Sequence, residues 1–185
     1  MSKSVVMSAF VVASGLLAPI AAQAAGTTQC SSPGITKADV QAMEAKWGQG
    51  IVDIGAAQDP KATAKAFVKD LYAYDAGSVL FKPTKASADE FRETPAEAQS
   101  YFVSGIVPED HGFALAPYTK VRFENNGIVY DCNSATAMGN YYFTNTSGKE
   151  VKADFTLGFV KQSDGDIKID VHHSSFPFSP KAKHS

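Results

Sequence analysis

The chain has 185 residues, 44% of them apolar and 19% charged, and carries a net charge of −2 at neutral pH. That length suits one domain with a sizeable core. Its 17 Lys and Arg are scattered among 19 Asp and Glu rather than gathered into a basic stripe, which argues against a nucleic-acid surface.

The first segment reads as a leader. Lys3 precedes an apolar run from Val5 to Ile20, and Ala22-Gln23-Ala24 follows as a small-residue cleavage site. This pattern predicts a secretory signal peptide over residues 1–24 and a periplasmic or secreted protein. Ser14, Gly15 and Pro19 interrupt the run, and no later segment is apolar enough to span a bilayer, so no membrane association is expected. Export leaves two alternatives for the cysteines, a Cys30–Cys132 disulfide or two unpaired thiols. Residues 25–35 read as a flexible tether, 36–180 as a single domain, and 181–185 as a tail.

Within the domain, Thr36 is a good helix N-cap, and Val40, Met43, Trp47, Ile51 and Ile54 follow as one apolar stripe. Asp59-Pro60 opens a second helix, with Ala62, Ala66, Phe67 and Leu71 expected inward. Val79 to Phe81 suggest a short strand stopped by Pro83. A third helix starts at Thr94-Pro95 and turns Ala98, Tyr101 and Phe102 inward. From Tyr118 the apolar period becomes two. Asn125-Asn126-Gly127 predicts a hairpin turn, and three strands follow over about 134–144, 150–162 and 166–175. Helices first and an antiparallel meander afterwards predict an α+β fold. A curved antiparallel sheet wrapped around the N-terminal helices is the cone-shaped arrangement of the nuclear transport factor 2-like superfold.

The last strand ends in "VHHSS", Val171 to Ser175. Strict alternation places Ile167, Ile169, Val171, His173 and Ser175 on one face, and Lys168, Asp170, His172 and Ser174 on the other. The aliphatic face must be the buried one, so His173 and Ser175 are expected inward at a pocket mouth. Thr84, in the Lys82–Lys85 loop, and Tyr101 add hydroxyls from elsewhere in the chain. An apolar pocket with a few convergent polar groups is a candidate site; the plainer alternative is a satisfied core histidine. Tyr141, Tyr142, Phe143, Phe155 and Phe159 read as core. No metal site is expected, because His172 and His173 diverge, His111 and His184 lie far off, and no HxH, HExxH or CxxC spacing occurs. GxSxG, P-loop and GxGxxG motifs are absent from the sequence.

Several separated segments, "LYAYDAGSVLFKPTKA", "YFVSG", "KVRFENNGIV", "AMGNYYFT" and "VHHSSFP", together resemble the iota-class carbonic anhydrases. Those enzymes are relatives of the calcium/calmodulin-dependent protein kinase II association domain. The likeness runs from about Thr36 to Pro180. It departs at Val171, where the family's closing HHHSS motif carries its first histidine. The resemblance implies a homodimer of cone-shaped subunits that interconverts carbon dioxide and bicarbonate without a cofactor. It implies a polar pocket of Thr84, Tyr101, His173 and Ser175, with His173 as the base or proton relay and the three hydroxyls positioning water and bicarbonate. Two rival expectations are a non-catalytic oligomeric association module and an isomerase or hydrolase acting on a larger ligand. The last of these needs an inward acid–base carboxylate.

Overall fold

The computed structural model describes residues 34–180; the expected signal peptide, most of the tether and the tail lie outside the described residues. Three helices, α1 (Lys37–Ala56), α2 (Pro60–Leu71) and α3 (Pro95–Val103), cover one face of a five-stranded sheet. The strands are β1 (Leu80–Lys82), β2 (Tyr118–Tyr130), β3 (Ser134–Asn145), β4 (Glu150–Lys161) and β5 (Ile167–Ser175), in the order β1-β5-β4-β3-β2. The β1–β5 pair is parallel and the other three strand pairs of this sheet are antiparallel.

Each helix begins where local chemistry dictates. Thr36 and Asp39 form a reciprocal capping box on α1, as Thr94 and Glu97 do on α3, and Asp59 caps α2 ahead of Pro60. Ile35, expected as the end of the tether, is instead buried in the core just ahead of the α1 cap. The α1 stripe is buried as the spacing predicts, centred on Trp47. In α2 the inward residues are Ala64, Phe67, Val68 and Leu71, whereas Ala62 and Ala66 are exposed. Phe67 and Leu71 define the inward stripe, and the larger Val68 takes the place expected of a methyl group beside them.

The sheet register shifts at three places, one at Thr119 near the start of β2 and two β-bulges farther in that bear on the interior. Asn125-Asn126-Gly127 is not a turn: β2 runs straight through it, and the chain reverses at Asp131–Asn133. Asn125 pairs with Gly139 and Gly127 with Met138, which leaves Asn126 as the extra residue. Gly139 permits this close approach, since a Cβ there would lie 2.1 Å from the Glu124 carbonyl oxygen. The second bulge lies in β5. Gly158 pairs with Val171 and Phe159 with Ile169, so Asp170 is the inserted residue.

The first bulge also aims Asn125 Nδ2 at Glu44 Oε2, to which it donates at 2.7 Å. Glu44 is 2% exposed, and burial pushes its carboxyl up to about 7, a rise that the Asn125 hydrogen bond partly offsets. A carboxyl that holds its proton more tightly when folded stabilises the fold below its ordinary range, and that contribution is lost as pH rises through about 7. Thermal unfolding across a pH series is expected to show a midpoint that falls between mildly acidic and mildly alkaline buffer. Glu44→Gln is expected to flatten that fall; an unchanged slope in the variant would place the titration elsewhere.

Candidate active site

β3 and β4 alternate strictly, burying Ala135, Ala137, Tyr141 and Phe143 from one and Ala153, Phe155, Leu157 and Phe159 from the other. β5 does not. Its extra residue, Asp170, lets Ile169 and His172 both face inward although they lie three apart. The outcome reverses the expected register: His172 and Ser174 are 2% and 3% exposed, while His173 is exposed and Ser175 half-buried. His173 lies instead on an outer depression beside Leu80, Lys82 and Phe91. Gly158 makes the bulge possible, because a Cβ there would meet Asp170 Oδ1 at 2.6 Å and Val171 Cβ at 2.9 Å.

His172 and Ser174 face a small cavity between the sheet and the helices. Its apolar wall is made by Trp47, Phe81, Pro83 and Phe113, and its polar groups are Thr84, Tyr101, Tyr141, His172 and Ser174. About 10 Å³ is open to the centre of a water-sized molecule, the scale of one water. Such a space is far smaller than the ligand of the isomerase or hydrolase alternative and points to a substrate of very few atoms. Tyr101 and Phe113, stacked at 5.4 Å between ring centroids, also line an outer depression of about 340 Å³ that holds Lys85 and His111. These two rings therefore separate the cavity from the surface.

The hydroxyls form one network. Thr84 Oγ1 is hydrogen-bonded to Ser174 Oγ, and both side chains interact with the Tyr141 hydroxyl. Tyr101 interacts with the Lys85 backbone and the Thr84 side chain. Burial raises Tyr101 and Tyr141 above the ordinary phenol range, Tyr101 being raised further by Tyr141; Ser174 and Thr84 oppose the rise at Tyr141. Burial also pulls His172 down to about 3, helped by the neighbouring His173. All these groups are therefore neutral at neutral pH. The His172 ring stacks on Phe81 at 4.8 Å and 9°, which fixes its plane.

The loop that carries Thr84 is pinned from behind. Arg92, fully buried, donates to Asp110 Oδ1 at 2.6 Å and to the Asp89 carbonyl at 2.6 Å. Its guanidinium carbon lies 6.0 Å from the Tyr101 ring centroid. Glu109 accepts from Ser87 Oγ and from the backbone amides of Ala88, Asp89 and Ser87, which hold its carboxyl down to about 2. Thr84 and Tyr101 thus reach the cavity as the sequence predicts. Ser174, His172 and Tyr141 occupy it where the sequence predicts His173, Ser175 and a core tyrosine. Among the described residues, no three His, Cys, Asp or Glu side chains converge to hold a metal ion.

The architecture is that of the nuclear transport factor 2-like proteins. A member of unknown function from Pseudomonas putida superposes with a TM-score of 0.51 at 14% identity, over 78% of this chain and 88% of the other. Within that class, residues 38–176 match the family of metal-independent carbonic anhydrases, and the chain belongs to that family. A metal-independent carbonic anhydrase from Nostoc sp. strain PCC 7120 is 42% identical over 153 residues, 78% of this chain and 75% of the relative. The crystal structure of a cyanobacterial iota-carbonic anhydrase complexed with bicarbonate superposes with a TM-score of 0.77 at 40% identity, covering 80% of this chain and 95% of the other. A Xanthomonas campestris protein assigned to the calcium/calmodulin-dependent protein kinase II association domains gives 0.53 at 26% identity, over 84% and 97%.

Proposed function

We propose that this carbonic anhydrase interconverts carbon dioxide and bicarbonate in the small interior cavity, with hydroxyl groups in place of a metal. The observation that carries the reading is the convergence of Thr84, Ser174, Tyr101 and Tyr141 on one small cavity. A relative of 40% identity that holds bicarbonate supports the substrate class.

Burial disfavours charge on both tyrosines and on His172, so the proposed route forms neither a tyrosinate nor an imidazolium. Zinc would lower the pKa of water from about 15.7 to about 7, worth on the order of 12 kcal/mol towards forming hydroxide. A hydroxyl relay avoids hydroxide. As the water oxygen bonds to the carbon of carbon dioxide, a water proton passes to a hydroxyl oxygen of the Thr84–Ser174 pair. That pair returns its own proton to a carbon dioxide oxygen, so H2O and CO2 become H2CO3. Released at neutral pH, H2CO3 ionises to bicarbonate and a proton, and the relay ends as it began. General acid–base assistance contributes about 10²–10⁴-fold and each aimed donor about 10²–10³-fold. The expected catalyst is slower than a zinc enzyme.

The same proposal places the protein in the periplasm or outside the cell after removal of residues 1–24. Cys132 is disulfide-bonded, which favours an oxidising compartment; Cys30, its expected partner, lies outside the described residues. A homodimer is proposed on the likeness to an association domain. Exposed Val129 and Met138 on the outer face of the sheet give it apolar surface to bury.

The test is carbon dioxide hydration followed by stopped flow before and after exhaustive chelation, with metal content measured in the same samples. Hydration above the buffer rate that survives chelation is expected. Loss on chelation with recovery on adding zinc would overturn the metal-free mechanism, and no hydration at all would overturn the function.

A further inference from the structure

Behind the hydroxyl network lies a second, buried chain that the relay does not use. Trp47 Nε1 donates to Tyr72 Oη at 2.9 Å, and Tyr72 Oη lies 2.8 Å from His172 Nδ1. All three side chains are sealed, at 2%, 1% and 2% exposure. The other ring nitrogen, His172 Nε2, is buried without a protein partner, and His172 lines the cavity.

Proton accounting selects one arrangement. An indole N–H can only donate, so Tyr72 Oη accepts from Trp47 and has a single proton to give. The rings of Phe67, Tyr74, Phe81 and Phe102 pack around Tyr72, and among the described residues the acceptor within hydrogen-bond distance of its hydroxyl is His172 Nδ1. Were Nδ1 protonated instead, it would donate to Tyr72 Oη, and the Tyr72 proton would be stranded in the core. With Nδ1 accepting, the imidazole proton sits on Nε2, the one nitrogen left for the cavity.

We propose that Tyr72, itself oriented by Trp47, is a positioning residue that locks His172 in the Nε2–H tautomer, so that the histidine offers a donor to an oxygen of carbon dioxide or bicarbonate. The inference rests on the carbonic anhydrase reading of the cavity. Carbon dioxide has only acceptors, and its oxygens gain negative charge as water adds to carbon. A neutral donor aimed there strengthens as the reaction proceeds. Burial keeps His172 from becoming a cation, so it donates without adding a buried charge. Its assigned work is therefore the opposite of a general base.

The test is nitrogen NMR of the full chain labelled at its four histidines, with His172→Phe identifying the signal. The unsubstituted protein is expected to show a neutral His172 protonated at Nε2 and bare at Nδ1 across neutral pH. Tyr72→Phe removes the donor to Nδ1 and is expected to mix the tautomers. It should lower kcat on the order of 10-fold with little change in KM, since it releases the correct tautomer rather than imposing the wrong one. Trp47→Phe frees Tyr72 Oη to accept and is also expected to mix the tautomers, read by NMR alone because Trp47 lines the cavity.

An Nδ1–H His172 in the unsubstituted protein overturns the proposal. So does a Tyr72→Phe protein that keeps the tautomer unmixed, or one that mixes it at full kcat. If Tyr72→Phe fails to fold, the unsubstituted spectrum and Trp47→Phe decide. Absence of hydration by the unsubstituted protein would count against the carbonic anhydrase reading instead, because the tautomer is read without substrate.

Discussion

His172→Phe is expected to lower the hydration rate at least about 10²-fold, whereas His173→Ala is expected to leave it near that of the unsubstituted protein. Phenylalanine fills the space of the imidazole and can keep the stack on Phe81, so the change takes away the ring nitrogens more than the packing. Its structural penalty is the Tyr72 hydroxyl left without His172 Nδ1. An unpaired buried hydroxyl costs about 1–3 kcal/mol, which an unfolding curve measures separately from rate. His173 is exposed on the opposite face, where a substitution shifts stability by about 0.5 kcal/mol or less. Stopped-flow hydration in chelated buffer, with thermal unfolding of each variant, gives both readings. An inactive His173→Ala beside an active His172→Phe would show that the β5 bulge is not where Gly158 and Asp170 put it.

Gly158→Val is expected to lose both stability and activity, although residue 158 does not touch the cavity. Even its first added carbon would stand 2.6 Å from Asp170 Oδ1 and 2.9 Å from Val171 Cβ, inside contact distance of both. Overpacking of this kind costs about 1–3 kcal/mol, a fall of roughly 3–10 °C in the unfolding midpoint for a domain of this size. The added bulk bears on the bulge that turns His172 and Ser174 inward, so kcat should drop about 10-fold or more even at temperatures where the variant is fully folded. Gly148→Ala provides the comparison. Gly148 sits in a surface turn at φ +78°, and an added methyl group there would meet open space, so backbone strain should reduce stability without reducing kcat. Equal activity losses in the two variants, after correction for unfolding, would sink the argument.

Much of the fold was legible because its signals are local. The stripe from Val40 to Ile54, the capping residues Thr36, Asp59 and Thr94, and the turns closed by Gly148 and Gly165 each act within a few residues of chain. Thr84 and Tyr101 were legible for a similar reason: a proline-stopped strand and a well-capped helix set their directions. The resemblance carried in the segments up to "VHHSSFP" pointed to the family that the comparison of residues 38–176 then showed.

Tertiary structure alone decided which half of the histidine–serine pair faces the cavity. Alternation is a rule for an uninterrupted strand, and one inserted residue inverts everything beyond it. Whether Asp170 is inserted depends on Gly158, which is remote in sequence and opposite in space. The same holds at Asn125-Asn126-Gly127, whose turn-like composition is overridden by Gly139 across the sheet and by Glu44 on α1. Tyr141 looked like core because it is core; only the approach of Thr84 and Ser174 gives its hydroxyl chemical company. The sequence by itself determined most of the elements, their order and the residue types available for a neutral, hydroxyl-lined site. Pairing between distant strands determined which of those residues meet, because a bulge is a property of two strands and the periodicity of one cannot contain it.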